Sequence, residues 1–337
     1  MKLPWIAALL VLSLCSCSTY QPLKDKHLYS GPRHASQGPG VTVTYFGNTT
    51  ILISDGTTNL LVDGFFSRPG ALRTLFWTIE PNKRIIQKQL TAGKIERLDA
   101  VLVGHAHHDH ALDSAIVAKE TGAVVVGPHA YEFIHRGAGT KANQERLVVV
   151  PCDGLTKPFG KFTVRFRRSA HANPHNIVHR SVMGDIHADV RPPTRFTNYQ
   201  CGEVFALHIR HTHGQIAITT TAGASKGQFA GLDADVVMLG VGVLGKEPKY
   251  AQDLYWKETV GALHPHTVIP VHWDAFTSKL RKDLRAPGLT VIDEVKKAMA
   301  VVQSHRTKEA VMVMNLRDSF RLRNGVIQPS LEEGRRQ

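Results

Sequence analysis

Residues 105–110 read His-Ala-His-His-Asp-His. Imidazole and carboxylate are the donors that suit zinc, and also iron or manganese. The run follows Leu98-Asp99-Ala100-Val101-Leu102-Val103 and Gly104. A buried strand that stops at a glycine and releases such donors points to a metal site at the end of a sheet. His105 and His107 stand two apart, so in extended chain both face one side and can share one ion. Asp109 and His110 fall where the chain should turn into a helix, and can reach a second ion. The plain alternative is a solvated His-rich tract. The strand directly before the run and the interleaved Asp argue against it.

The elements that must hold these donors are legible in outline. Val41–Phe46 alternates as a half-buried strand should, and Thr50–Ser54 and Asn59–Val62 follow across turns. This meander ends at Asp63. A carboxylate there can steady the metal loop by accepting backbone or imidazole N–H bonds, or it can simply start a turn before Gly64. Leu112–Glu120 reads as a helix stopped by Gly122, and Val124–Val126 as a buried strand, which makes a β-α-β unit. Phe162–Phe166 alternates and leads to His171. Glu203–Ile209 and Gln215–Thr221 read as a strand pair, and Val268–Val271 as a short buried strand ending in His272-Trp273-Asp274. Residues 281–325 add a basic helix and a final strand, Ala310–Met314. Leu72–Trp77 is apolar and aromatic just beyond a sheet end, as a rim of the site or as packing. Residues 172–200 are irregular and rich in Pro and His, so they read as a lid or specificity insertion whose arginines can bind an anionic group.

The pattern H-x-H-x-D-H resembles the metal signature of the metallo-β-lactamase superfamily, α/β hydrolases built as a four-layer αββα sandwich. The resemblance covers roughly residues 40–280 and implies a site residue by residue. His105, His107 and His171 would hold a first ion, with His175 the substitute for His171. Asp109, His110 and His272 would hold a second, and Asp63 would be a structural carboxylate behind them. The segment Val268–Phe276 resembles the branch containing ascorbate-6-phosphate lactonase and the phospholipase D acting on N-acylphosphatidylethanolamine. There Asp274 would orient a ligand imidazole, or cap the next helix. In most relatives a Gly-Asp pair supplies an Asp that bridges the metals. The matching position here is read as Ala224, which weakens the second site or shifts the bridge elsewhere; Asp185 is the substitute. Asp109 would then act chiefly as the catalytic base that orients the attacking water.

Length and ends bound the rest. The chain has 337 residues, 42% of them apolar, and no internal linker or repeat. One domain is expected over residues 39–325, with a tail at 326–337. Met1-Lys2 and the apolar run Ile6–Leu14 form a leader too short to span a bilayer. Leu14-Cys15-Ser16-Cys17 resembles a bacterial lipobox. It implies a signal peptide at 1–16, a lipid on Cys17 and a flexible tether at 17–38. By resemblance to sorting patterns it also implies an outer-membrane lipoprotein facing the periplasm of a Gram-negative cell. Cys152 and Cys201 are free to pair in that compartment if close enough. The net charge of +13 is spread along the chain without aromatic interleaving, which gives no nucleic-acid footprint. Anionic lipids or phosphorylated substrates suit such a charge, and so does plain solubility.

The expected activity is hydrolysis by metal-activated water, without an organic cofactor, on a phosphodiester, lactone or lipid-derived ester. The alternative is a non-catalytic metal- or ligand-binding member that lacks the bridging Asp. A β-lactamase fits less well, because Trp273-Asp274 points to another branch.

Overall fold

The computed structural model describes residues 29–30, 34–139, 146–173, 177–287 and 294–329. The expected signal peptide, Cys17, most of the tether and His175 lie outside the described residues.

Two eight-stranded sheets carry the chain. The first runs β16 (Val326–Gln328), β15 (Ser319–Arg323), β2 (Val41–Tyr45), β3 (Ile51–Ser54), β4 (Asn59–Val62), β5 (Ala100–Leu102), β6 (Val124–Gly127), β7 (Leu147–Val149). The second runs β1 (Tyr29–Ser30), β14 (Ala310–Val313), β13 (Thr267–Val271), β12 (Val236–Gly240), β11 (Gly214–Ile218), β10 (Val204–His211), β9 (Phe162–Ser169), β8 (Leu155–Phe159). One contiguous hydrophobic core includes residues of both sheets. Burial follows the strand period. In β2, Val41, Val43 and Tyr45 are buried while Thr42 and Thr44 are half-buried, as on a sheet with one face toward the core. In β12 all five residues are buried, as expected of a parallel strand covered on both faces. The superfamily architecture expected from the motif is the one observed.

Four short helices matter for the site: α1 (Ala71–Phe76), α2 (Lys83–Ala92), α3 (His108–Ala111) and α4 (Ser114–Thr121). The helix read over 112–120 is thus two pieces, because Leu112 and Asp113 separate the turn bearing the donors from α4. Gly122 does close α4, in the left-handed conformation.

Several boundaries differ from expectation. Val326–Gln328 pairs with β15, so the sheet runs three residues past the expected domain limit at 325. Tyr29–Ser30, inside the expected tether, pairs in parallel with Met312 and Val313 of β14. Cys152 is exposed, Cys201 is buried, and both are free thiols. No helix among the described residues is long and apolar enough to cross a membrane.

Candidate metal centre

Strands β5, β9 and β13 deliver the donors from their ends, and β4 delivers Asp63 behind them. After β5 the chain passes Gly104, where a Cβ would lie 2.4 Å from Thr220 Oγ1. Only glycine permits that approach. It seats Thr220 against His105, whose Nδ1 is 3.2 Å from the hydroxyl. His171 follows β9 and His272 follows β13. Asp63 and His272 both take positive φ, 54° and 59°. Such backbone is uncommon outside glycine and clusters where function constrains the chain.

Two donor groups result. His105, His107 and His171 offer ring nitrogens within 4.8 Å of one another, and Asp109, His110 and His272 form a second set by the same measure. Asp109 is the one carboxylate in the two groups. All six side chains expected from the sequence are therefore brought together in two threes.

The hydrogen bonds around the first group fix its tautomers. His107 Nε2 lies 3.2 Å from the Val182 carbonyl and His171 Nδ1 lies 2.7 Å from the Ala172 carbonyl. A carbonyl only accepts, so both nitrogens carry the proton and the opposite ring nitrogens present lone pairs. His179 Nε2 also stands 3.1 Å from His171 Nδ1. Burial, then the neighbouring imidazoles, holds the pKa of His105 and of His171 well below the usual range. Burial brings His107 down to about 3. These rings are neutral at physiological pH. His105 Nε2 faces His107 Nδ1 at 3.2 Å. A converging set of neutral lone pairs suits a cation, so this donor set fits a divalent metal such as zinc, iron or manganese.

In the second group, His110 Nδ1 donates to Asp63 Oδ2 at 2.7 Å, and Thr49 Oγ1 bonds the same oxygen. Asp63 Oδ1 accepts the Gly104 N–H at 3.0 Å. Asp63 thus does both things expected of it. His110 Nε2 and His272 Nε2 approach Asp109 Oδ2 at 3.4 and 3.1 Å. Burial opposes charge on His110, but contact with Asp109 and Asp63 lifts its pKa to about 10. Burial likewise opposes charge on Asp109, yet His110 and His272 hold its carboxyl well below the carboxylate range. The same negative potential that keeps a proton on His110 attracts a metal cation.

Asp274 does neither of the things expected of it. It touches no donor imidazole, and no helix begins beside it. Its Oδ2 meets Arg68 Nη1 at 2.5 Å, and its Oδ1 accepts from Asn48 N–H at 2.6 Å and the Tyr45 hydroxyl at 3.1 Å. Asn48 then grips both sides of the second group. Its Nδ2 donates to the Asp109 carbonyl at 2.6 Å, and its carbonyl accepts the His272 N–H at 2.7 Å.

Ala224, read as the bridging position, does not line the cavity. Ala224 packs on the hydrophobic core, and Thr221 lines the site instead. The threonines after β11 pass directly behind the donors, with Thr221 Oγ1 accepting the Ala172 N–H at 3.2 Å. Neither Ala224 nor Thr221 carries a carboxylate. Asp185 is exposed and does not line the site.

Both groups open into a cavity of about 280 Å³. Its walls include Leu75, Val182, Phe196, Val243 and Phe276, and among the described residues none that lines it is Arg or Lys. The insertion at 172–200 contributes Val178, His179, Val182 and Phe196. Its arginines do not line the cavity, and Arg191 pairs with Asp189 instead. Two lining histidines fall outside the expected ligand set, His108 and His179. His108 stacks edge-on against Phe65, Phe196 and Phe276, and its buried Nε2 has no hydrogen-bond partner.

The profile described as Metallo-beta-lactamase superfamily matches residues 43–231. The chain belongs to that superfamily. It is 26% identical over 235 residues to a protein of Anaeromyxobacter dehalogenans (strain 2CP-C) named UPF0173 metal-dependent hydrolase, covering 69% of this chain and 75% of that one. A similarly named protein of Heliobacterium modesticaldum is 27% identical over 236 residues, covering 69% and 83%. Among solved structures, a metallo hydrolase of the archaeon Ignicoccus hospitalis aligns with a TM-score of 0.50 at 15% identity, over 83% of this chain and 97% of that one. The last likeness speaks for the fold alone.

Proposed function

We propose that this chain is a metal-dependent hydrolase that cleaves a neutral ester or lactone bearing an apolar, lipid-like chain. The observation that carries the substrate class is the cavity. Its donors converge at one place, while its walls are largely apolar and, among the described residues, include no Arg or Lys. Superfamily membership and the names of the relatives support the reaction class.

His105, His107 and His171 would hold one ion and Asp109, His110 and His272 the other. Bound there, a divalent ion supplies water of lowered pKa and polarises the carbonyl. The chain's own residues do the remainder. Asp109, kept ionised by His110 and His272, orients the attacking water and accepts its proton on the carboxylate. His108 Nε2 is free to bond the substrate's polar end. The aromatic and aliphatic walls take the chain and exclude bulk water.

The test is metal analysis of the purified protein, followed by turnover on p-nitrophenyl esters of increasing acyl length, lactones and bis-p-nitrophenyl phosphate. Longer acyl esters should outpace short ones and the phosphodiester. Preferential phosphodiester turnover would replace the ester reading.

A second reading rests on Thr221. With neither Thr221 nor Ala224 carrying a carboxylate to join two ions, a binding protein that holds one ion without turnover is the alternative. One ion per chain and silence across the whole panel would establish it. The lipobox-like Cys17 supports an envelope location, where lipid-derived substrates are abundant.

A further inference from the structure

Helix α1 has two faces. Ala71, Thr74 and Leu75, spaced i, i+3, i+4, turn inward and line the cavity. Leu72 and Phe76, spaced i, i+4, turn outward with Trp77 at the helix end. They are 46%, 43% and 61% exposed. Phe76 and Trp77 rings meet edge to face at 6.1 Å, which makes one continuous apolar knob. Scattered exposed apolar residues need no explanation, but a cluster that includes Trp at the mouth of a cavity does. Met183, beside the lining residue Val182, is a further exposed apolar side chain.

A second segment next to the cavity lining is basic. Residues 275–278 and Pro287 line the same cavity, and between them lie exposed Lys279, Arg281, Lys282 and Arg285, against one exposed acid, Asp283. Leu280 and Leu284 pack this segment onto the core, so its cations are presented from an anchored base. An apolar knob with Trp and a cationic segment, each adjoining residues that line one cavity, match the interface of an anionic bilayer. Acyl chains receive the knob and headgroups receive the cations.

We infer that the cavity mouth docks on an anionic phospholipid surface, with Leu72, Phe76 and Trp77 inserted and residues 279–285 on the headgroups, so that ligand enters from the membrane. This surface is separate from any lipid on Cys17. It goes beyond the proposed reaction and does not require it.

The test uses the full chain with Cys17→Ser, so that no lipid anchor contributes, and vesicles of phosphatidylglycerol mixed with phosphatidylethanolamine. The protein should cosediment with these vesicles. Leu72→Ser/Phe76→Ser/Trp77→Ser should lower the bound fraction roughly tenfold. Lys279→Gln/Arg281→Gln/Lys282→Gln/Arg285→Gln should erase the preference over phosphatidylcholine. Brominated acyl chains should quench a tryptophan signal that vanishes in Trp77→Phe, a change too mild to unfold the chain. Unchanged sedimentation of the triple variant, or identical quenching in parent and Trp77→Phe, would overturn the inference. So would light scattering showing that the patch joins two copies of this chain. No arm depends on turnover, so failure here leaves the hydrolase reading separately testable.

Discussion

Arg68 and Asp274 form a fully buried ion pair, 2.5 Å apart across 206 positions of sequence. Asp274 also holds Asn48, and Asn48 holds the backbone of both Asp109 and His272. A charge pair that touches no donor atom therefore sets the spacing of two of them. Removing one partner of a buried pair typically costs about 3–5 kcal/mol, because the other charge is left uncompensated. Arg68→Met should destabilise the protein by that order in urea unfolding. In the folded fraction it should weaken metal binding at Asp109, His110 and His272 more than at the three-histidine group.

Asp63→Asn tests the carboxylate behind His110. Asparagine tolerates the positive φ at this position, so the backbone should hold. The charge that raises His110 is halved, and its pKa in metal-free protein should fall from about 10. Metal affinity at the second group should drop by about 10–100-fold, as when an outer partner of a ligand imidazole is lost. Histidine NMR titration and metal competition read the two effects.

His107→Ala should remove one ion per chain while leaving the fold largely intact, since the buried ring packs on other imidazoles rather than on the hydrophobic core. Mass spectrometry of the native protein and circular dichroism check this. Unchanged metal stoichiometry would refute the ligand set.

Gly242→Ala is the complementary experiment. A Cβ at position 242 would lie 2.6 Å from His272 Nδ1, closer than real Cβ contacts, so the ring must move. The second group should lose its ion while His105, His107 and His171 keep theirs. A two-step metal titration collapsing to one step is the expected result.

Asp113 gives a pH prediction. Burial pushes its carboxyl from the usual 3.8 up to about 6, against hydrogen bonds from Ser67 and from the Phe66 N–H. Between those values the folded chain keeps a proton that the unfolded chain has released. Stability from this group is therefore greatest below pH 3.8 and declines as pH rises through 6, by on the order of 3 kcal/mol. Asp113→Asn should flatten that slope. Denaturation midpoints at pH 4.5 and 6.5 for both proteins decide it, and parallel slopes would refute it.

Much of the site was legible because its donors follow strands. Period-2 burial and a Gly-terminated apolar run locate a sheet end without any contact information, and six donors fell where expected. Asp63 was legible for the same reason. What was not legible depends on approach through space. Thr221 rather than Ala224 lines the cavity because three threonines extend past β11 before the chain turns away. Asp274 was assigned to an imidazole because its partner, Arg68, carries no mark in its own neighbourhood. His108 sits inside the motif, but only its aromatic neighbours at 65, 196 and 276 show that it faces the cavity. β15 and β16 were missed because Ser319–Arg323 has only two apolar residues, Phe320 and Leu322, among charged ones.

The pairing of β2 with β15 joins Val41–Thr44 to Ser319–Leu322. A ribosome delivers the first of these strands long before the second. Until the second emerges, that edge of β2 is unpaired beside Tyr45 and Asn48, the groups that later hold the loop of Asp109 and His272. Every one of the six donors is thus synthesised before the strand that completes this edge.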